Sequence, residues 1–324
     1  MKVLNRWGSP VTRYALAGAA LMMAWQVGAK AARDSLFLAV YPASALPAIV
    51  GASAICSIVM SLLTARLLVR FGPSRLIPAG FLAGALLHVA EWLLLPVYPR
   101  ATSALVYAHV VAMGAILLSG FWTLVSERFT PREARKRFGQ IAAFGTLGSL
   151  AGGLLAERVA FLSSSSELLV LLAILQAACF AVILQLTSRD TVAERREVFT
   201  FPEVLSDAPY LIRLAFFVVL ISMSAATLDF VFKVQAVASV GRGAALTRFL
   251  ALFYAVTAAL TFVFQAGFTR WWLRRFGPGR TVGVLPAAVS GASIILLAFP
   301  AAAGVIATRV LELLLRGSLF RSGY

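Results

Sequence analysis

The chain has 324 residues, of which 60% are hydrophobic and only 13% charged, and it carries a formal net charge of +16. A soluble core cannot hide so much apolar surface, because single cores stop growing at roughly 250–300 residues, and the wealth of Leu, Val, Ile and Phe excludes disorder. So basic a soluble chain would suggest nucleic acid; here the bases stand between long apolar runs, so the expected partner is the lipid bilayer and no nucleic acid is expected.

A transmembrane helix needs about 20 mostly apolar residues. Runs of that kind are predicted at 12–40, 45–69, 76–96, 102–126, 139–160, 167–187, 211–237, 244–269, 281–299 and 301–322. They are too long and too even for membrane strands, whose alternating segments are about 10 residues. The expected fold class is therefore an all-α, polytopic membrane protein. The first run follows Lys2, Arg6 and Arg13 in the manner of a signal peptide. It continues past any cleavage point into Lys30-Ala31-Ala32-Arg33-Asp34, which makes it an uncleaved first helix. Cys56 and Cys179 both lie in apolar runs and suggest neither a disulfide framework nor a metal site.

Basic residues gather in the short cytoplasmic loops of membrane proteins. With the N-terminus inside, most of the 29 Lys and Arg residues fall on the cytoplasmic side. The outside loops then hold only Arg100, Arg158, Arg242 and Arg248. The expected location is the plasma (inner) membrane with a cytoplasmic N-terminus.

The sequence also repeats itself. Arg70-Phe71-Gly72-Pro73-Ser74-Arg75, after the second span, returns as Arg275-Phe276-Gly277-Pro278-Gly279-Arg280 after the eighth. Residues 1–187 then form an N-terminal six-helix half, 188–210 (with Pro202 and Pro209) a cytoplasmic linker, and 211–324 an incomplete C-terminal half of spans seven to ten. The expectation is a 6 + 4 arrangement, truncated from about twelve spans.

These basic loops resemble the loop between helices two and three of the major facilitator superfamily, although Val69 and Arg274 stand where an acidic residue is expected. More specifically, three segments resemble the ATP/ADP translocase (nucleotide transporter) family. They are Lys30-Ala31-Ala32-Arg33-Asp34-Ser35-Leu36-Phe37, the stretch from Phe121-Trp122-Thr123 to Arg137-Phe138-Gly139, and Leu228-Asp229-Phe230-Val231-Phe232-Lys233. The resemblance implies a nucleotide or related organic-anion exchanger within a major facilitator-like fold. Parallel six-helix repeats of that kind bind substrate near the midplane.

An ionisable side chain at membrane depth costs roughly 2.5–3.5 kcal/mol on insertion scales, so it pairs or lines a wet cavity. Lys30, Arg33 and Asp34 fall at i, i+3 and i+4 on one face of span one, and Asp229 and Lys233 are i, i+4 in span seven. Both first helices of the two halves therefore aim an acid and a base inward. Internal ion pairs that lock helices together are the alternative. With Glu91 and Arg309 these residues form the expected substrate-binding set. His88 and Glu91, i, i+3 in span three, can share a proton, but Trp92 beside them favours a packing or interfacial role. His109 reads as a core histidine. Arg309 and Glu312 can line the pathway, or Arg309 can snorkel to the surface.

Gly145-Thr146-Leu147-Gly148-Ser149-Leu150-Ala151-Gly152-Gly153 has no preceding strand and no Lys-Ser/Thr after its last glycine, so it is no phosphate loop. Gly148 and Gly152 at i, i+4 instead predict close approach of another helix. The segment resembles the glycine-rich fifth-helix motif of facilitator antiporters, with Ser149 where proline is expected. Thr130-Pro131-Arg132-Glu133 reads as a capped helix start, and the basic residues after it lie against inner-leaflet headgroups.

No Ser-His-Asp set, metal cluster or paired carboxylates stand out, so no enzyme, cofactor or metal is expected. The functional expectation is a secondary transporter exchanging a small anionic substrate, a nucleotide by the resemblance, through alternating access. A proton-coupled exporter using Asp34, Glu91 or Asp229 is the closest rival, and a sensor or anchor module of a larger protein is the other class.

Overall fold

The computed structural model describes residues 9–187, 209–265, 268, 272, 275, 284–298 and 302–317. Within them the chain is α-helical. The helices are α1 (Pro10–Val40), α2 (Leu46–Phe71), α3 (Pro73–Leu94), α4 (Pro99–Glu127), α5 (Pro131–Leu162), α6 (Glu167–Thr187), α7 (Pro209–Val240), α8 (Ala244–Phe264), α9 (Val284–Ala298) and α10 (Ala302–Leu315). Among the described residues, 7 helices are long and apolar enough to cross a membrane, from α2 to α8. Helix α1 has the length, at 31 residues, but carries Lys30, Arg33 and Asp34. Over the described residues α9 and α10 have 15 and 14 residues, shorter than the spans predicted there. The predicted linker up to residue 208 and the second copy of the repeated loop beyond Arg275 lie outside the described residues.

Local chemistry explains the helix ends. Ser9 caps α1 by accepting from the Thr12 N–H, and prolines open α1, α3, α4 and α5, where a missing N–H costs nothing. At α5 Thr130 caps the helix and Pro131 opens it, as the sequence predicts, and Glu133 reaches back to complete a reciprocal capping box. Between α2 and α3 only Gly72 intervenes, with φ +77°, a conformation that a Cβ would strain.

The fold is organised inside out relative to a soluble protein. Ile55, Ile58, Val59 and Leu62 on α2 are exposed, whereas Asp34, His88, Glu91 and Lys233 are buried. Exposed apolar faces on membrane-length helices suit hydrocarbon, and the polar groups face protein. The molecule is a multi-pass membrane protein.

The chain packs as two compact units. The first comprises Met1–Asp190 and Ala236–Ala266; the second comprises Thr191–Gln235 and Gly267–Tyr324. In the first unit α1 lies along α5, α6 and α4, α3 packs on α6 and α4, and α8 packs on α5 and α1. Glycines set the closest approach. A Cβ at Gly148 or Gly152 would overlap the backbone of Ala20 or Ala24 on α1. One at Gly153 would come within 2.7 Å of the Ala255 methyl on α8. Without a hydrophobic drive between helices in lipid, such small-residue contacts supply the packing. In the second unit α7 residues bond to α10, and α9 packs on α10.

Candidate functional site

Among the described residues, three polar clusters occupy the interiors, two in the first unit and one in the second. The first lies on α1. Asp34 is fully buried, and its carboxylate accepts from Arg33 Nε at 3.1 Å and from the Tyr254 hydroxyl of α8 at 3.2 Å. The Arg33 guanidinium stands 4.9 Å from the Tyr107 ring centre on α4, a cation–π contact. Lys30 is half-buried one turn earlier. The sequence foresaw the shared face of Lys30, Arg33 and Asp34. It held no signal for Tyr254, which is brought to Asp34 only by the packing of α8 on α1.

A second cluster joins α3 and α4. Glu91 accepts from both histidines of the chain, His88 Nδ1 at 2.8 Å on Oε2 and His109 Nδ1 at 2.8 Å on Oε1. The two imidazole centres are 4.6 Å apart. Trp25 of α1 donates its indole N–H to His88 Nε2 at 3.1 Å. All three titratable residues are buried. His109, expected to be a lone core residue, is therefore part of a polar triad. The correction has a simple cause, because α3 and α4 form a hairpin that lays residue 109 against residue 91. Trp92 bonds to Glu167 on α6, apart from the triad.

The three residues have the types and spacing of metal ligands, with ligand atoms within 4.8 Å of one another. Their hydrogen bonds argue for a proton network instead. An indole N–H only donates, so His88 Nε2 is an acceptor and Nδ1 carries the ring's hydrogen. That hydrogen points at Glu91, which leaves Nδ1 no lone pair to offer a cation.

The third cluster is ionic and joins α7 to α10. Asp229 pairs with Lys233 Nζ at 2.7 Å and with Arg309 Nη2 at 2.5 Å. Arg309 Nη1 lies 2.6 Å from Glu312, and Glu312 lies 2.7 Å from Arg316 Nε. Among the described residues, three cations meet two carboxylates here. Lys233 is 1% exposed and Asp229 22%, so the cluster is sealed at the lysine and open at the acid. Beside it a cavity of about 220 Å³ is lined by Ile221, Ser224, Val289, Glu312 and Arg316. Arg309 turns its guanidinium into this network and does not snorkel. Arg316, outside the expected substrate-binding set, belongs to it too. Its signal was its i, i+4 spacing from Glu312.

The expected site residues thus fall into separate groups. Lys30, Arg33 and Asp34 share one helix face, Glu91 belongs to the histidine triad, and Asp229, Lys233 and Arg309 form the ionic network.

No protein-family model and no curated protein matches the sequence. Solved structures do match in shape. The nucleoside transporter NupG superposes with a TM-score of 0.65 at 14% identity, over 96% of this chain and 80% of that one. The D-xylose-proton symporter gives 0.63 at 14% identity, with the same coverage of each chain. At that identity the likeness shows the fold alone, an all-helical fold shared with these two structures.

Proposed function

We propose that the chain is a secondary transporter working by alternating access in the inner membrane, with its N-terminus cytoplasmic, and that it exchanges a small anionic, phosphorylated substrate such as a nucleotide. The observation that carries this reading is the gathering of buried and half-buried cations about acids inside the helices: Lys233, Arg309 and Arg316 about Asp229 and Glu312, and Arg33 with Lys30 on the helix face of Asp34. A phosphorylated compound must shed water at the midplane, and fixed cations replace that hydration. Charge-assisted bonds to phosphate are about twice as strong as neutral ones. The resemblance of the segments at 30–37, 121–139 and 228–233 to ATP/ADP translocases points the same way, as does the fold shared with a nucleoside transporter.

Lys30, with Arg33 assisting, and Lys233 bind phosphate oxygens, and Arg309 joins them. Asp34 and Asp229 hold these bases in place when no substrate is bound. Cargo then competes with carboxylates for the same cations, so the loaded and empty carriers differ in their internal pairing. That difference favours movement with cargo and hence exchange over net flux.

The test is exchange of labelled nucleotide across liposomes containing the protein. Lys30→Ala and Lys233→Ala should each abolish exchange while the folded protein remains in the membrane. If both exchange normally, or if wild type binds no phosphorylated compound, the proposal fails. The proton-coupled carrier then replaces it, a reading supported by the fold shared with a sugar–proton symporter.

A further inference from the structure

The ionic clusters leave the α3–α4 triad unused, and its hydrogen-bond geometry constrains where a proton can go. Trp25 fixes His88 as the neutral Nδ1–H tautomer. Glu91 is satisfied by two ring N–H groups, one on each oxygen. His109 Nε2 makes no hydrogen bond, although it is buried and its side chain is only 1% exposed. With both rings neutral the triad carries the uncompensated charge of Glu91. One added proton makes it neutral overall, and that proton has one destination. Whether the shared hydrogen sits on His109 Nδ1 or on Glu91 Oε1, the protonated triad bears a hydrogen on His109 Nε2.

We propose that His88, Glu91 and His109 form an occluded site for a single proton, taken up at His109 Nε2 and retained while α1, α3 and α4 stay packed. The site holds whatever the cargo is. A buried carboxylate between two rings stabilises one positive charge in a low-dielectric interior and has no room for a second, because His88 is committed to Trp25. The surrounding helices present Lys30, Arg33 and Asp34 on α1, Tyr107 on α4, Glu167 and Cys179 on α6 and Cys56 on α2. Arg33 pairs with Asp34, and Glu167 accepts from Trp92, so these acids are engaged elsewhere. Because Nε2 is shut off from solvent, the proton enters or leaves only when these helices separate. A carrier that alternates its access would therefore load the proton on one side and release it on the other.

The chain has only two histidines, so selective ¹⁵N-histidine labelling of the purified 324-residue chain in lipid nanodiscs reports on this triad alone. As the pH falls from about 9 to 5, across the range where imidazoles titrate, His109 Nε2 should gain a hydrogen. His88 should keep its Nδ1–H form throughout. In Glu91→Gln the His109 transition should vanish, and an indicator dye should register one proton fewer taken up after a pH jump. His109→Gln, which keeps a donor for Glu91, should remove the same proton and leave His88 unchanged. The proposal is overturned if His109 Nε2 gains no hydrogen over the whole range, if His88 is the ring that titrates, or if removing Glu91 leaves the transition in place. It is equally overturned if Zn²⁺ shifts both Nδ1 resonances, which would make the triad a metal site.

Discussion

Asp34 on α1 and Asp229 on α7 are both acids paired with a base on their own helix, yet they are held differently. Asp34 is fully buried, and its cation is the neighbouring residue of its own helix, with Tyr254 adding one neutral hydrogen bond. Asp229 is partly open and bridges Lys233 on its own helix to Arg309 on another, from which the network runs on through Glu312 to Arg316. Around α1 the helices are fastened by backbone contact at Gly148 and Gly152. Between α7 and α10 they are fastened by charge. The contrast teaches that one acidic position can be a local pair within a tightly packed helix or a clasp between two helices.

Removing the clasp should have the largest effect. Asp229→Asn turns a neutral amide toward Lys233, leaves Arg309 with Glu312 alone of its two acids, and takes one negative charge out of the cluster. Breaking a buried pair from one side costs about 3–5 kcal/mol, read as a loss of thermal stability of the purified protein. Asp34→Asn should cost less, about 1–3 kcal/mol, because Arg33 is 17% exposed and can turn to water. Equal losses for the two variants would erase the contrast.

Next comes the packing that distinguishes the first unit. Gly152→Ala puts a methyl into the Ala24 backbone, and overpacking of that kind costs roughly 1–3 kcal/mol. The loss should persist in high salt, whereas that of Asp229→Asn should depend on salt at the open acid. Tyr254→Phe removes one neutral bond to Asp34 and should cost about 1 kcal/mol. A loss as large as that of Asp34→Asn would mean that the phenol, not Arg33, holds the acid.

The smallest effect lies outside both clusters. Glu133 accepts from the Thr130 backbone N–H and hydroxyl, which holds its carboxyl below the usual glutamate value. Its contribution is therefore present above the ordinary glutamate value and lost as the pH falls through the depressed one. Limited proteolysis near residue 130 should increase at acid pH in wild type. In Glu133→Gln that pH step should be absent.

Helical periodicity and composition made much of this legible from the chain. Apolar runs long enough to span a bilayer located the helices, and Thr130 followed by Pro131 signalled the start of α5. Spacings of three and four residues placed Lys30 with Arg33 and Asp34, His88 with Glu91, and Asp229 with Lys233 on common faces, because a helix fixes which of its own residues are neighbours. Gly148 and Gly152 announced a close partner without saying which helix it was. What crosses from helix to helix was decided by tertiary structure: His109 on Glu91, Trp25 on His88, Tyr254 on Asp34, Arg309 on Asp229, and α8 packed with the first six helices. The physical reason is that apolar faces are nearly interchangeable in lipid. Partner choice then rests on small-residue fit and on a few buried polar bonds, and both exist only once the helices have met.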